Sequence, residues 1–183
     1  TTLFRSKPWL VYPTGLSVVI PNYNGETLFP QTLPPLFEAL ADSGLPHEVI
    51  VSDDCSTDQS VRWLQTNYPA IKVIAHTQNR GFSPTINDGI REARYSLVFL
   101  LNSDVKLTRH YFEPQLRYFE KPDTFGVMGR IIGWEDEIIQ DAAKYPSFHG
   151  AKIKTTGNYY AQEPAANDWL YSMYLSGANA LVS

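Results

Sequence analysis

Carboxylate and amide side chains stand directly after four short apolar runs of the sequence. These polar groups are Pro21 to Asn24, Asp53-Asp54, His76 to Asn79 and Asn102 to Asp104. Carboxylates at the ends of buried strands are hard oxygen ligands that suit Mg²⁺ or Mn²⁺, and such a cation in turn binds phosphates. Any one of these residues is equally well explained as a turn or helix-cap residue. Taken together, the four groups predict a site for a phosphorylated ligand with a divalent cation.

Each polar group follows a run that predicts a buried β-strand. The four strands are expected at Leu16 to Ile20, Glu48 to Val51, Ile71 to Ala75 and Ser96 to Leu101. Helices are expected between them, from about Thr27 to Asp42, from a capping box at Ser56 to Gln59 as far as Tyr68, and from Ser83-Pro84 to about Arg94. Pro34 and Pro35 are expected to interrupt the first helix or to reset its start, because proline lacks the backbone donor.

This alternation predicts an α/β fold with a mostly parallel sheet covered by helices on both faces. In open sheets of this kind, ligands bind outside the carboxyl ends of the strands, where the four polar groups would meet. The chain after Phe112 is less regular. A helix is expected to reach Glu120, a strand to cover Phe125 to Arg130, a hairpin to turn at Glu135 to Glu137, and residues 144–168 to be mostly loop.

The composition is that of an ordinary globular domain and excludes several classes of function. The 183 residues carry 19% charged side chains and a net charge of −4. No basic stripe is present, so nucleic acid is not an expected partner. Cys55 is the only cysteine, which excludes an internal disulfide framework and a Cys-based zinc site. No run approaches about 18 consecutive apolar residues, so no membrane span is expected in this chain. We expect residues 1–15 to be a leader and residues 16–183 to form one domain.

Four motifs of the sequence, in order, resemble those of glycosyltransferase family 2. They are Leu16 to Gly25, Glu48 to Asp58, Asn79 to Phe82 followed by Asn87 to Gly89, and Leu100 to Asp104, with weaker matches at Gln140 to Ala142 and Ser176 to Ala178. The resemblance extends from Leu16 to Val182. It implies a GT-A fold, also called the nucleotide-diphospho-sugar transferase fold, and an inverting enzyme that depends on a nucleotide-sugar.

The resemblance also implies roles at the nucleotide base. Pro21, Tyr23 and Asn24 would line the base pocket, where an aromatic ring offers a stacking surface. Asp54 would accept a hydrogen bond from the N3–H of uracil or thymine, a task that suits a carboxylate because it only accepts when ionised. Asp53 is expected to point elsewhere and to tie the turn.

At the diphosphate, the resemblance implies that Asp104 holds the divalent cation, Mg²⁺ or Mn²⁺. Asn102 departs from the family, which often has Asp at this position. The Asn keeps an oxygen for a sugar hydroxyl or a ribose but lacks the charge. Arg80 or Asn87 would approach the diphosphate or the ribose, and a surface Arg and a helical Asn are equally supported alternatives.

The general base that deprotonates the acceptor is an Asp or Glu beyond the Ser-Gly-Ala segment in the resembled family. It is therefore expected beyond Ser183, and the domain is expected to be truncated at its C-terminal end. Asp168 is a late acid within this sequence, but a loop or cap role is expected for it. Leu175, Leu181 and Val182 are expected to lack the partners that a longer chain supplies, which predicts self-association.

The predicted function is that of a hexosyltransferase-like enzyme of cell-surface polysaccharide or glycan synthesis. It would move a sugar from a UDP- or dTDP-sugar to a hydroxyl of a glycan or lipid-linked acceptor, with inversion. The expected location is cytoplasmic, with membrane association through segments outside this sequence or through the acceptor.

The alternative function is a non-catalytic module that binds nucleotide-sugar, which Asn102 favours. A nucleotidyltransferase or a dinucleotide-dependent oxidoreductase usually shows a Gly-rich loop after the first strand, whereas this loop has Gly25 alone.

Overall fold

The computed structural model describes residues 15–155 and 171–183. The strands within these residues are β1 (Leu16–Asn22), β2 (His47–Asp53), β3 (Lys72–Ala75), β4 (Leu97–Leu101), β5 (Gly126–Met128), β6 (Ile131–Ile132), β7 (Ile139–Asp141), β8 (Pro146–His149), β9 (Lys152–Thr155) and β10 (Asn179–Val182). The helices there are α1 (Phe29–Ser43), α2 (Ser60–Asn67), α3 (Phe82–Arg91) and α4 (Glu113–Leu116), which continues into a 3₁₀ turn (Arg117–Glu120). Except for Gly15, the predicted leader of residues 1–15 lies outside the described residues.

The main sheet of the described chain has six strands in the order β3-β2-β1-β4-β10-β5. β1 pairs in parallel with β2 and β4, and β2 pairs in parallel with β3. β10 runs antiparallel between β4 and β5. The predicted mostly parallel sheet is therefore confirmed. The chain moves outward from β1 to β3 and then returns to β4, so the strand order reverses between β1 and β4, which is where open α/β sheets bind ligands.

Helices cover both faces of the sheet, as predicted. Val18 of β1 belongs to one buried core together with Leu36 of α1 and Leu64 of α2. The next residue, Val19, belongs to a second core on the other face, together with Ile86 of α3. Successive residues of a strand point to opposite faces, so a strand that is covered on both sides is apolar throughout. This explains why the sequence of β1 shows no polar alternation.

The first helix differs from the prediction, because α1 runs through Pro34 and Pro35 without a break. The carbonyls that lose their helical donors at these prolines belong to Pro30 and Gln31, and both residues are exposed, so water can serve as their donor. The opposite side of α1 is buried in the core. Packing of that side outweighs the local cost of the prolines, and the helix ends only at Gly44, whose φ of 67° is left-handed.

The predicted starts of the second and third helices are also wrong. Ser56 does not cap α2, because its hydroxyl donates to Asp53 instead. α2 begins at Ser60, whose N–H donates to the carboxylate of Asp58 over 3.0 Å. α3 begins one residue before the predicted Ser-Pro cap and is preceded by Gly81, which has a φ of 83°. Contacts between distant loops, described below, decide both starts.

The region after α4 agrees with the prediction in part. The predicted strand is present as β5, and the predicted hairpin is present as the antiparallel pair β6 and β7. Residues 144–155 are not mostly loop, because β8 and β9 form a second hairpin. Its strands are four residues long, too short for an alternating pattern to be recognised against background. Residues 156–168 lie outside the described residues.

The last strand, β10, was not predicted, and it corrects the expectation of unpartnered apolar residues near the C-terminus. Leu181 is fully buried and pairs with Phe99 of β4 on one side and with Val127 of β5 on the other. Val182 packs against the second core. Because these residues have partners inside the sheet, they provide no basis for self-association.

Among the described residues, no helix has the length and apolar character needed to cross a membrane.

Candidate functional site

The carboxyl ends of β1, β2 and β3 lie side by side at one edge of the sheet. The N–H of Asp54 donates to the carbonyl of Asn22 over 2.8 Å, and the N–H of His76 donates to the carbonyl of Asp53 over 2.9 Å. β4 ends at the same edge on the other side of β1, because it is parallel to β1. The structure thus brings together the polar groups that follow the first four strands.

The buried carboxylate of Asp53 joins the loops at this edge by hydrogen bonds. Its carboxylate accepts hydrogen bonds from Nδ2 of Asn22 over 2.7 Å, from the N–H of Ser56 over 3.0 Å and from the Ser56 hydroxyl over 2.5 Å. Asp53 is 2% exposed. A carboxylate that is buried and shared by three donors holds the loops after β1 and β2 in register. This geometry agrees with the structural role expected for Asp53.

Asp54 is held from the other side, by the loop that leads into α3. Its Oδ1 accepts from the N–H of Arg80 over 2.8 Å and from Nδ1 of His76 over 3.2 Å, and its Oδ2 accepts from the N–H of Gly81 over 2.8 Å. Burial opposes ionisation of Asp54, but the hydrogen bonds from Arg80, His76, Gly81 and Thr85 lower its pKa below the ordinary value of 3.8. A carboxylate oxygen offers about two acceptor sites, and both of those on Oδ1 are occupied by the N–H of Arg80 and Nδ1 of His76.

The lowered pKa of Asp54 predicts an acid-sensitive contribution to stability. A carboxyl whose pKa is depressed by folding stabilises the protein above its unfolded pKa, and this contribution is lost as the pH falls through the folded pKa. We therefore expect Asp54→Asn to lower the free energy of unfolding at pH 7, and to lower it less at pH 3. Urea unfolding of both proteins at the two pH values measures the difference. An equal loss at pH 3 and pH 7 would contradict the assigned ionisation.

The loop after β1 carries the residues expected at the nucleotide base. Tyr23 is 55% exposed, so its ring is open to a ligand. Asn24 has a positive φ of 57°, and its Oδ1 accepts from the N–H of Thr57 over 2.8 Å. The N–H of Asn24 donates to the Ser56 hydroxyl over 2.8 Å. Asn24 therefore joins two loops of the site, while Pro21 lies buried within β1 below them.

Arg80 and Asn87 take different positions. The Arg80 guanidinium donates to Oδ2 of Asp88 over 2.7 Å, and the same carboxylate accepts from Arg91 over 2.6 Å. Asn87 is exposed on α3. Nε2 of His76 also lies 3.2 Å from Oδ2 of Asp88. The sequence placed His76 in one of the four polar groups and Asp88 in the motif Asn87 to Gly89, but it gave neither residue a role, because their partners lie on other elements.

Asp104 is exposed just beyond the end of β4 and lines a cleft of about 430 Å³. The other lining residues are Leu28, Gly133, Trp134, Glu135, Asp136 and Gln140. Within the described residues, no group of three or more His, Cys, Asp or Glu side chains is arranged to hold a metal ion. An exposed carboxylate beside an open cleft nevertheless fits Mg²⁺ or Mn²⁺, since such ions are commonly bound by one or two carboxylates together with substrate phosphates.

Asn102 stands between β4 and Asp104. Its N–H donates to the carbonyl of Ala178 over 2.9 Å, which joins the end of β4 to the segment before β10. Its Oδ1 is shielded from solvent and has no hydrogen-bond partner among the described residues. The sequence analysis expects this amide oxygen to bind a sugar hydroxyl or a ribose, and no donor among the described residues occupies it. Asp168, the other acid considered in the sequence, lies outside the described residues.

A larger cavity of about 1030 Å³ lies away from the strand ends. It is lined by residues of α4, β5 and the segment 171–175, and none of the residues expected at the nucleotide or metal lines it. The chemistry-bearing side chains are therefore concentrated at the carboxyl edge of the sheet rather than in this cavity.

Comparison with known proteins agrees with this arrangement. A family model described as "Glycosyl transferase family 2" matches residues 17–179. The chain is 31% identical over 96 residues to a dolichol-phosphate mannosyltransferase of Pyrococcus furiosus, and the match covers 50% of this chain and 26% of the relative. The chain thus spans about a quarter of that relative's length.

Solved structures show the same fold. One is a mannosyltransferase from Pyrobaculum calidifontis in complex with GDP-Man and Mn²⁺, with a TM-score of 0.56, 24% identity, and coverage of 68% of this chain and 37% of that one. Another is residues 1–349 of TarS from S. aureus in complex with UDP, with a TM-score of 0.59, 22% identity, and coverage of 72% and 40%. At these identities the likeness establishes the GT-A fold.

Proposed function

This chain belongs to glycosyltransferase family 2, and from that membership we propose that it forms the donor-binding part of an enzyme that transfers a sugar from a UDP- or dTDP-sugar. The receiving group is an acceptor hydroxyl, and the anomeric carbon is inverted. Residues 16–183 form the nucleotide-sugar-binding domain. The observation that carries the proposal is the carboxylate of Asp54, which is ionised, is held at the strand edge and has its Oδ1 occupied by two protein donors.

The occupied Oδ1 of Asp54 supports a pyrimidine base over guanine. The imide of uracil or thymine presents a single N3–H donor, which needs one lone pair. Guanine presents an N1–H together with its N2 amino donor, and a carboxylate that pairs with both must present two free acceptor sites. Oδ1 of Asp54 is already occupied by Arg80 and His76. The exposed ring of Tyr23 supplies the stacking surface beside this position.

Asp104 supports the second part of the proposal, which concerns the diphosphate. The carboxylate would hold Mg²⁺ or Mn²⁺ against the diphosphate oxygens, with the amide of Asn102 beside it. A cation bound there neutralises the negative charge of the departing nucleotide diphosphate. The proposed contacts to the diphosphate or ribose are Arg80, in the loop before α3, and Asn87, on the exposed side of α3.

The acceptor hydroxyl needs a general base on the opposite side of the anomeric carbon. The family resemblance puts this carboxylate C-terminal to the segment 176–178. The name of the Pyrococcus relative includes a lipid phosphate, dolichol-phosphate, and this supports a lipid-linked acceptor as one candidate beside a glycan. A non-catalytic module that binds nucleotide-sugar is the second candidate function, which the amide of Asn102 in place of an acid favours.

Calorimetric titration of the chain with UDP, dTDP, GDP and ADP in the presence of Mn²⁺ tests the donor class. We expect UDP and dTDP to bind at least about tenfold more tightly than GDP, because one well-made hydrogen bond to a charged group is worth about 1.5–3 kcal/mol. ADP should be the weakest, because adenine offers no imide. Equal affinity for UDP and GDP would contradict the role proposed for Asp54.

A further inference from the structure

His76 lies between two carboxylates that belong to different elements. Its Nδ1 is 3.2 Å from Oδ1 of Asp54, at the end of β2. Its Nε2 is 3.2 Å from Oδ2 of Asp88, on α3, at ion-pair distance but without the alignment of a hydrogen bond. The His76 side chain is 8% exposed. The imidazole of His76 therefore links Asp54, the carboxylate proposed to bind the nucleobase, to helix α3.

The two carboxylates that His76 links differ in their other partners. Asp88 is 23% exposed and also pairs with Arg80 and Arg91, so its negative charge is balanced without the imidazole. Asp54 is 7% exposed, and its other donors are the backbone N–H groups of Arg80 and Gly81 and the side chain of Thr85 on α3. The bond from His76 is therefore the only side-chain hydrogen bond to Asp54 that joins it to another strand end within the described residues.

We propose that His76 is a positioning residue for donor recognition, because it occupies the second acceptor site of Asp54 Oδ1 and leaves Oδ2 as the oxygen that faces the nucleobase. This inference rests on the proposed function. Since an ionised carboxylate only accepts, the hydrogen between the two groups is on Nδ1 of His76. Without that bond, the carboxylate of Asp54 keeps a backbone donor on each oxygen but loses the side-chain donor that occupies the second site of Oδ1.

Two conservative substitutions separate the bond to Asp54 from the contact to Asp88. In His76→Asn, the amide nitrogen is attached to Cγ, as Nδ1 is, so the donor to Asp54 is preserved. In His76→Gln, the amide nitrogen is one bond further out, near the place of Nε2, so the donor faces Asp88 instead. A role that depends only on filling the space between β3 and α3 would treat the two variants alike.

The first measurement is the affinity of the full chain for UDP, by calorimetry with Mn²⁺. We expect His76→Gln to bind about tenfold more weakly than the parent, the low end of what loss of an orienting partner costs at metal sites. We expect His76→Asn to stay within about threefold of the parent, because it keeps the orienting bond. His110→Gln is the matched control, because it breaks another His–carboxylate pair, the 2.9 Å contact to Asp42 on the exposed surface. It should leave UDP affinity unchanged.

The second measurement needs no ligand. Carbon-13 NMR titration of the Asp54 carboxyl should show a higher pKa in His76→Gln than in the parent, since the hydrogen bond from His76 is one of the causes that lower it. His76→Asn should resemble the parent. Equal UDP affinity and equal Asp54 titration in the Asn and Gln variants would overturn the inference. If the parent fails to bind UDP while the titrations differ as expected, the proposed donor class is wrong, but the hydrogen bond between His76 and Asp54 is confirmed.

Discussion

Asp104→Asn should abolish the metal dependence of nucleotide binding and strongly slow sugar transfer by the protein that contains this chain. The substitution keeps the shape of the side chain but removes the charge that a divalent cation requires. Loss of a group that stabilises charge developing on a reacting oxygen costs about 10²–10³-fold in rate. We expect a loss of this size in transfer. We also expect UDP titrations of the variant to give the same affinity with Mn²⁺ and with a chelator, whereas the parent should bind more tightly with Mn²⁺.

The neighbouring acids provide the controls for Asp104. Glu135→Gln and Asp136→Asn change carboxylates that line the same cleft, and Asp123→Asn changes an exposed carboxylate elsewhere. All three should keep the metal dependence. If Glu135→Gln removes it and Asp104→Asn does not, the cation is held by the hairpin of β6 and β7 rather than by the end of β4. If UDP binding is insensitive to metal in the parent protein, the cation has to be removed from the proposed function.

Asp53→Ala should destabilise the fold more than any other substitution at the site. The change leaves three donors without their acceptor, namely Nδ2 of Asn22 and the N–H and hydroxyl of Ser56. Each buried donor left unsatisfied costs about 1–3 kcal/mol, and since Nδ2 of Asn22 keeps a contact with Ser56, we expect a total loss of about 3–4 kcal/mol in the free energy of unfolding. Urea unfolding at pH 7 measures this loss.

The acid Asp123 again serves as the reference, because it is exposed. Asp123→Ala should change the free energy of unfolding by no more than about 0.5 kcal/mol, as is usual for surface substitutions. Asp53→Asn should be intermediate, because an amide keeps one acceptor oxygen. An Asp53→Ala protein with parental stability and no affinity for UDP would assign Asp53 to the ligand instead of to the loops.

The four parallel strands and the family of this protein could be predicted from the sequence alone. The central strands β1 and β4 are runs of mostly apolar residues because both faces of the sheet are covered there. Polar groups follow each run because the chain leaves the core at that point. These are local properties, so a run such as Leu16 to Ile20 is visible without knowledge of its neighbours. The order of the motifs at the strand ends then identified glycosyltransferase family 2, and the comparisons confirm it.

Other features were decided by contacts between distant parts of the chain. Ser56 matched a helix cap in its local sequence, but the buried carboxylate of Asp53 takes its hydroxyl, and α2 starts four residues later. Pro34 and Pro35 favoured a break that the packing of α1 on the sheet overrides. In both cases a tertiary interaction is worth more than the local preference it opposes.

At Asp54, too, some features were apparent from the sequence and others were decided by contacts between distant residues. Its position after a buried strand and its acidic side chain were apparent from the sequence. Its donors were not, because His76 follows a different strand and the N–H groups of Arg80 and Gly81 carry no side-chain signature. β10 was equally hidden, since a four-residue strand gives little periodicity and its burial depends on pairing with β4 and β5. Sequence therefore determined which residue types stand at the strand ends, and tertiary structure decided which of their atoms are left for a ligand, because hydrogen-bond partners are set by proximity in space.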